Sequence, residues 1–89
     1  MRQDGAFFGD RELDLIYIAK KLKEALRAEE VLTTAGIDYA VEPDQYLGGV
    51  LFKRQLTGAF FYTLPEASDG ARNVLSVAGF RSIYPKVAG

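Results

Sequence analysis

A ten-residue pattern that occurs twice decides the fold of this chain: AEEVLTTAGI at residues 28–37 and ARNVLSVAGF at residues 71–80. Both copies read A-x-x-V-L-[ST]-x-A-G-[IF]. The pattern is typical of the last turns of an amphipathic helix that ends at a left-handed glycine, after which an apolar residue folds back onto the helix. It predicts that Gly36 and Gly79 each end a helix, and that the chain contains one strand–helix–strand unit made twice.

The composition of the surrounding segments predicts the other elements. Apolar, β-rich or alternating runs indicate strands, and runs of good helix formers indicate helices. The predicted elements are a strand at 13–19, a helix at about 22–35, a strand at 37–42, a strand at 59–64, a helix at about 68–78 and a strand at 81–86.

Turn and capping residues predict the limits of several elements. Pro43 and Asp44 are expected to end the strand before them, and Ser68 or Asp69 is expected to cap the second helix. For the segment 43–57 the sequence does not decide between a hairpin and a mobile loop.

The element order β-α-β-β-α-β predicts an α+β fold of the ferredoxin-like class. In this βαββαβ sandwich, right-handed crossovers place two helices on one face of an antiparallel four-stranded sheet. We expect residues 1–12 to form an N-terminal extension, residues 13–86 a single domain and residues 87–89 a tail. The other sheet face then needs cover from a second subunit, from the arm that contains Phe7 and Phe8, or from a ligand.

Composition excludes several kinds of chemistry. The 89 residues are 48% hydrophobic and 26% charged, as in one ordinary globular domain, and they include no Cys and no His. Disulfides, thiolate sites and histidine catalysis are therefore excluded, and we expect no metal and no cofactor. A net charge of −1 makes broad nucleic-acid binding unlikely. Without a leader or a long apolar run, the sequence predicts a cytoplasmic protein that does not enter a membrane.

A basic cluster lies at the first strand–helix junction and consists of Lys20, Lys21, Lys23 and Arg27. Such a cluster could hold a phosphate or a carboxylate, because backbone amides at the start of a helix also attract anions. The alternative is a solvated helix face on which Lys20 pairs with Glu24 four residues later.

A second basic pair, Lys53 and Arg54, lies in the segment 43–57, the longest stretch without a predicted regular element. Our leading hypothesis is a non-enzymatic regulatory or interaction module that meets a small anionic ligand or a protein partner through this segment. The alternative is a small enzyme that uses tyrosine and carboxylate groups on the open sheet face as acid and base. Acylphosphatase-like chemistry fits less well. The phosphate-binding loop of acylphosphatases follows the first strand, whereas the similar glycine-rich stretch at 48–54 of this chain precedes a later strand.

Several positions of the two helices and their flanking turns form a pattern, namely Glu24-Ala25, Leu32, Gly36-Ile37, Leu64-Pro65 and Leu75. At these positions the chain resembles a small PII-like family of prokaryotic signal-transducing proteins. This resemblance implies a ferredoxin-like fold and a regulatory role, and it supplies no catalytic residues.

A fainter likeness extends to the classical PII regulators. Residues 52–55, Phe-Lys-Arg-Gln, are similar to the stretch at the base of their effector loop, where a glutamine helps to hold a nucleotide. Tyr46 lies in the same linker, as does the modified tyrosine of those regulators.

These arguments give two sets of candidate residues. Candidates for contact with a ligand are Lys53, Arg54, Gln55, Lys20 and Lys21. Candidates for the interface of a homo-oligomer, a dimer or trimer, or for contact with a protein partner are Phe7, Phe8, Tyr46, Phe60 and Tyr62.

Overall fold

The structure, a computed structural model, describes residues 1–48 and 54–80, with the backbone alone at residues 46–48, 54 and 55. The described chain is α+β and combines a three-stranded antiparallel sheet, in the order β1-β3-β2, with two helices. The elements are a short 3-10 helix (Gly5–Phe8), β1 (Asp14–Ala19), α1 (Leu22–Thr34), β2 (Ala40–Gly48), β3 (Arg54–Thr63) and α2 (Pro65–Val77). The predicted strand at 81–86 and the tail at 87–89 lie outside the described residues.

The two copies of the sequence pattern form the two helix ends that they predict. Gly36 has a φ of 74° and Gly79 a φ of 96°, both left-handed. After α1, the Ile37 amide donates to the Leu32 carbonyl and the Gly36 amide to the Thr33 carbonyl, each at 3.0 Å. The same two bonds close α2 around Gly79, at 2.9 and 3.0 Å. Both helices therefore end in the Schellman motif, and this prediction is confirmed.

The main core lies between the sheet and the two helices. Tyr17, Phe61 and Val41 are paired across the three strands and so share one sheet face. Small residues on the helices let them approach this face closely, and the last apolar residues of the two patterns pack against the same core. The buried members of this core are Ile16, Tyr17, Ala19, Ala25, Ala28, Leu32, Tyr39, Phe61, Ala71 and Leu75.

A bulge in β1 explains why this strand is apolar at successive positions. The register with β3 shifts between Leu15 and Tyr17, which pair with Tyr62 and Phe61. The extra residue is Ile16, and it joins Tyr17 in the helix-side core. A strand that follows strict alternation would have directed one of these two side chains to the other face.

The second sheet face also buries large side chains. Ile18 and Phe60 pair across β1 and β3 on that face, and both are buried although the helices lie on the other side. The N-terminal segment is positioned to cover them, because it begins beside β2, where Arg2 bridges Tyr39, and ends at β1. Its Phe8 is buried outside the helix-side core. A second subunit, the N-terminal arm or a ligand is expected to cover this face. In the described chain the arm is the segment in position to do so.

The segment 43–57 is largely extended, so the expected strand end at Pro43-Asp44 is wrong. Strand β2 runs on to Gly48, and β3 already begins at Arg54, with a continuous antiparallel register from Ala40↔Tyr62 to Gly48↔Arg54. Residues 49–53 lie outside the described part. The described parts of the segment, 43–48 and 54–57, are therefore paired strands of a long β-hairpin.

The hydrogen-bonding direction of the strand explains why Pro43 does not end it. Both backbone polar groups of Tyr39 bond away from β3, to the carbonyl of Met1 and the amide of Gln3, at 3.1 and 2.7 Å. Because strand residues alternate in direction, Pro43 also points its nitrogen away from β3. Its missing N–H costs no bond in the sheet, since β2 is an edge strand of the described sheet.

The expected cap of the second helix is also wrong. Helix α2 begins at Pro65 and not near Ser68, and Leu64 is its N-cap residue. Proline suits the first helical position because its fixed φ is helical and its missing N–H would have no helical partner there. Ser68 is buried inside the first turn, where its hydroxyl donates to the Pro65 carbonyl at 3.0 Å.

Replacing Gly36 with alanine should destabilise the protein, whereas replacing Gly70 should stabilise it. Neither added Cβ meets an atom within 4 Å, so backbone conformation alone decides the result. A left-handed alanine at position 36 should lower the free energy of unfolding by about 1 kcal/mol. Gly70→Ala, inside α2, should raise it by about 0.5 to 1 kcal/mol. Urea unfolding measures both, and changes of the same sign would contradict this account.

The two adjacent phenylalanines of the arm should contribute very differently to the free energy of unfolding. Phe8 is 6% exposed and Phe7 is 53% exposed. Phe8→Ala should therefore lower the free energy of unfolding by about 3 kcal/mol, and Phe7→Ala by less than about 1 kcal/mol. Denaturant unfolding of the two variants tests the contrast. Equal losses would show that the arm is not anchored through Phe8.

Candidate functional site

Helix α1 begins without a side-chain cap at the end of β1. Its N-cap residue, Lys21, is extended and makes no capping hydrogen bond. The first amides of a helix point out of its end without intrahelical partners, and the helix dipole adds partial positive charge there. The start of α1 is therefore electropositive through its backbone as well as its lysines.

A cavity of about 380 Å³, here called the basic cleft, lies between the beginning of α1 and the end of α2. Lys21, Lys23 and Arg27 contribute positive charge to its lining, and Glu24 contributes negative charge. Its lining residues are Tyr17, Lys21, Lys23, Glu24, Arg27, Ala78, Gly79 and Phe80. The cleft thus combines cations with an aromatic wall.

Arg27 joins α1 to the end of α2. Its Nη2 donates to the Ala78 carbonyl at 2.9 Å, and its guanidinium carbon lies 5.5 Å from the centre of the Phe80 ring. Carbonyl groups at a helix C-terminus carry partial negative charge, which the guanidinium offsets. Arg27 consequently makes this wall of the cleft less repulsive to an anion.

Tyr17 and Glu24 form a second link between strand and helix. The Tyr17 hydroxyl donates to Oε1 of Glu24, and its ring meets Phe80 edge to face with 5.3 Å between ring centres. Burial of Tyr17, together with the nearby Glu24 carboxylate, raises the pKa of the phenol. Tyr17 is therefore protonated at neutral pH and acts as a hydrogen-bond donor to Glu24.

The structure brings together part of the predicted ligand-binding set. Lys20 and Lys21 line one groove beside the start of α1, and Lys21 also lines the basic cleft. Lys53 lies outside the described residues, and Arg54 and Gln55 form the first residues of β3, where the backbone alone is described. The predicted contact of Lys53, Arg54 and Gln55 with a ligand stays a prediction.

The predicted interface residues occupy different environments. Phe8 and Phe60 are buried within the single chain, Tyr62 is half-buried, and Phe7 is exposed. Tyr46 lies on β2, in the part described by its backbone alone. Of these aromatic residues, Phe7 presents the most accessible side chain among those described.

Sequence reasoning missed the aromatic wall of the cleft. It identified the lysines and Arg27 because they are neighbours along the chain. Phe80 lies far from them in sequence, and its signal was its position after Gly79, which turns it back toward the core. Tyr17 is the other aromatic residue of the wall, and it faces the helices because of the bulge in β1, which strict strand alternation does not predict.

Comparison with known proteins found no matching family model, no similar curated protein and no matching solved structure. Within residues 1–48 and 54–80, neither helix is long and apolar enough to cross a membrane. The same part of the chain contains no group of three or more carboxylates that could hold a metal ion.

Stability should fall at alkaline pH, and Tyr17→Phe should reduce that fall. The raised pKa means that the unfolded chain loses its Tyr17 proton above about pH 10 while the folded chain still retains it. The stabilisation is therefore complete below pH 10 and decreases as pH rises. Urea unfolding at pH 9 and pH 11 measures the effect, and equal pH dependence in the variant would contradict it.

Proposed function

We propose that this chain is a non-enzymatic regulatory module that binds a small anionic ligand in the basic cleft. One observation supports this most directly: Lys21, Lys23 and Arg27 line the same cavity at the uncapped start of α1. Lysine and arginine side chains together with helix amides form a favourable environment for a phosphate or a carboxylate.

The balance of charge in the cleft favours an anion. Three cationic side chains face one carboxylate, and the Oε1 atom of that carboxylate, Glu24, accepts the Tyr17 hydrogen bond. Arg27 is held in place by Ala78, so its charge is part of the wall instead of moving freely in solvent.

Size and wall chemistry suggest the form of the ligand. The volume of about 380 Å³ lies within the range of small-molecule sites, about 300 to 1,000 Å³. Phe80 and Tyr17 offer apolar surface beside the cations. The ligand we propose carries a phosphate or carboxylate on an uncharged or aromatic body, as adenine nucleotides do.

The contact between Tyr17 and Glu24 in the cleft favours binding over catalysis. Tyr17 has a raised pKa, which makes its phenol a poor general acid at neutral pH, and its proton is directed to Glu24. Glu24 is correspondingly engaged in a structural contact between β1 and α1.

We extend the proposal to the whole fold and its setting. A four-stranded ferredoxin-like sheet, in which residues 81–86 add to β1, agrees with the order β1-β3-β2 and with a helix after β1 and after β3. The resemblance to PII-like signal-transducing proteins supports a regulatory role in the cytoplasm. Contact of a ligand or partner with Lys53, Arg54 and Gln55 at the end of the hairpin belongs to the same proposal.

Lys23→Gln should weaken anion binding, and Lys20→Gln is its matched control. Lys23 lines the basic cleft, whereas Lys20 does not. Inorganic phosphate, AMP and ATP are titrated while backbone amide chemical shifts are followed by NMR. We expect the largest shifts at the first turn of α1, and an increase in Kd of about five-fold for Lys23→Gln, which corresponds to about 1 kcal/mol.

Two kinds of result in this titration would contradict an anion site in the basic cleft. Binding that shifts other residues, or that Lys23→Gln and Lys20→Gln weaken equally, would indicate diffuse attraction to surface lysines. Absence of binding by all three probes at low salt would contradict an anion site in the cleft.

A further inference from the structure

A second cavity, here called the hairpin groove, lies between the start of α1 and the base of the β2–β3 hairpin. Its volume is about 260 Å³, and most of its surface is apolar. The lining includes Arg2, Lys20, Leu22, Val41, Pro43 and Ala59. The groove is distinct from the basic cleft, although Lys21 borders both.

Two exposed leucines extend the apolar surface of the groove along α1. Leu22 is 75% exposed and Leu26, one turn later, is 56% exposed. Residues four apart on a helix are neighbours on its surface. The groove and the two leucines therefore form one apolar area that the described chain leaves open.

The rim of this area is basic. Lys20, Lys21 and Arg2 line the groove, and no carboxylate is among its described lining residues. Arg2 lies 3.7 Å from the Glu29 carboxylate outside the groove, which offsets part of its charge. A partner that fits both features presents an apolar side chain surrounded by negative charge. Positive and negative patches that meet in this way set the orientation of association more than its strength.

The N-terminal arm of the same chain presents such a surface. Phe7 is 53% exposed, and the arm carries exposed carboxylates at Asp4, Asp10 and Glu12, all within five residues of it in the chain. The positive charge of Arg11 is matched by Glu66, which accepts two hydrogen bonds from its guanidinium at 2.7 Å each. The amino terminus and Arg2, the other cations of the arm, lie 3.8 and 3.7 Å from the carboxylates of Asp38 and Glu29. The carboxylates of the arm itself therefore give the segment around Phe7 a negative charge.

We propose that the Phe7 side chain of one copy docks into the hairpin groove of a second copy. The arm contributes Arg2 to the groove of its own copy, but Phe7 is not among the described lining residues of that groove and remains exposed. Each copy has one Phe7 and one groove, and the contact is heterologous: copies associate head to tail.

The outer edge of β2 favours this side-chain contact over strand addition. Pro43 offers no N–H along that edge, and the Gln45 amide donates to the Asp44 carboxylate at 2.8 Å. Two successive outward donors are thus withheld from a neighbouring strand. One aromatic side chain in one groove buries less area than a standard interface, so the association is weak and depends on concentration.

Sedimentation velocity and light scattering of wild-type protein, at concentrations up to about 1 mM, test the proposal. Phe7→Ser should remove the docking side chain and Leu22→Ser should disrupt the groove, so each variant alone should sediment as a monomer. Val77→Ser is the matched control, because Val77 is 82% exposed on α2, away from both surfaces. It should associate like the wild type, and association should weaken at high salt.

Mixing the two variants gives the decisive measurement. Phe7→Ser retains its groove and Leu22→Ser retains its Phe7, so an equimolar mixture should form a heterodimer that grows no further. A monomeric mixture would overturn head-to-tail docking, as would self-association that either variant preserves. Circular dichroism first establishes that both variants are folded.

Two further results would also overturn the proposal. The first is a wild-type protein that stays monomeric throughout the concentration range. The second is binding of the monomer to phosphatidylglycerol vesicles that Leu22→Ser abolishes, which would assign the leucines and the basic rim to an anionic membrane surface. The phosphate and nucleotide titrations depend on the Lys23→Gln variant, and Lys23 does not line the hairpin groove. Failure of the docking proposal therefore does not decide the anion-binding proposal, and the reverse also holds.

Discussion

The left-handed conformation of Gly36 and Gly79 is the constraint on which the rest of this structure depends. Each glycine closes a helix and reverses the chain, so that the next residue packs against the core instead of continuing into solvent. After α1 this residue is Ile37, which leads toward β2. After α2 it is Phe80, whose ring meets Tyr17 and Arg27 and forms a wall of the basic cleft. The repeated pattern is therefore architectural in both copies and also builds the candidate site in one of them.

Two contrasting demands shape the β2–β3 hairpin. It extends the sheet with a regular register, yet an extended edge strand invites pairing with other chains. Pro43 has no N–H on the outer edge, and the Asp44 carboxylate accepts the N–H of Gln45 there. Both features reduce the donors open to another chain without disturbing the bonds to β3. Between Pro43 and Gln45 the backbone edge of β2 is therefore protected against strand addition, which agrees with our proposal that copies associate through the groove at the base of the hairpin.

The nearly neutral net charge conceals a separation of charges over the surface. Cations gather at the start of α1, where the helix dipole has the same sign. The N-terminal arm carries three exposed carboxylates, and its arginines, Arg2 and Arg11, pair with Glu29 and Glu66 outside the arm. The lysines at the helix start border two different cavities, one with an aromatic wall and one with exposed leucines. In our proposals these two environments separate the site for a small anion from the surface for an acidic partner, although both include neighbouring residues of α1.

Local sequence signals determined the features whose contacts lie within a few residues. The helix ends are of this kind, because the bonds around Gly36 and Gly79 join residues three and five apart. The positive start of α1 is also local. The length of β2 could not be read from local signals, because Pro43 fits a strand only if β3 lies on the side away from the proline nitrogen. Nor could the start of α2, where proline at the first helical position outweighed the serine and aspartate that resemble caps.

Only the tertiary structure decided what the local features become together. The bulge in β1 turned Tyr17 toward the helices, and the packing of α1 against α2 brought Arg27 to Ala78, 51 residues later in the chain. The aromatic wall and the basic residues meet because two helix ends and one strand converge. The sequence by itself therefore determined the helix stops and the cationic helix start, since both arise from short-range backbone and charge effects. The cleft required the long-range packing of the core.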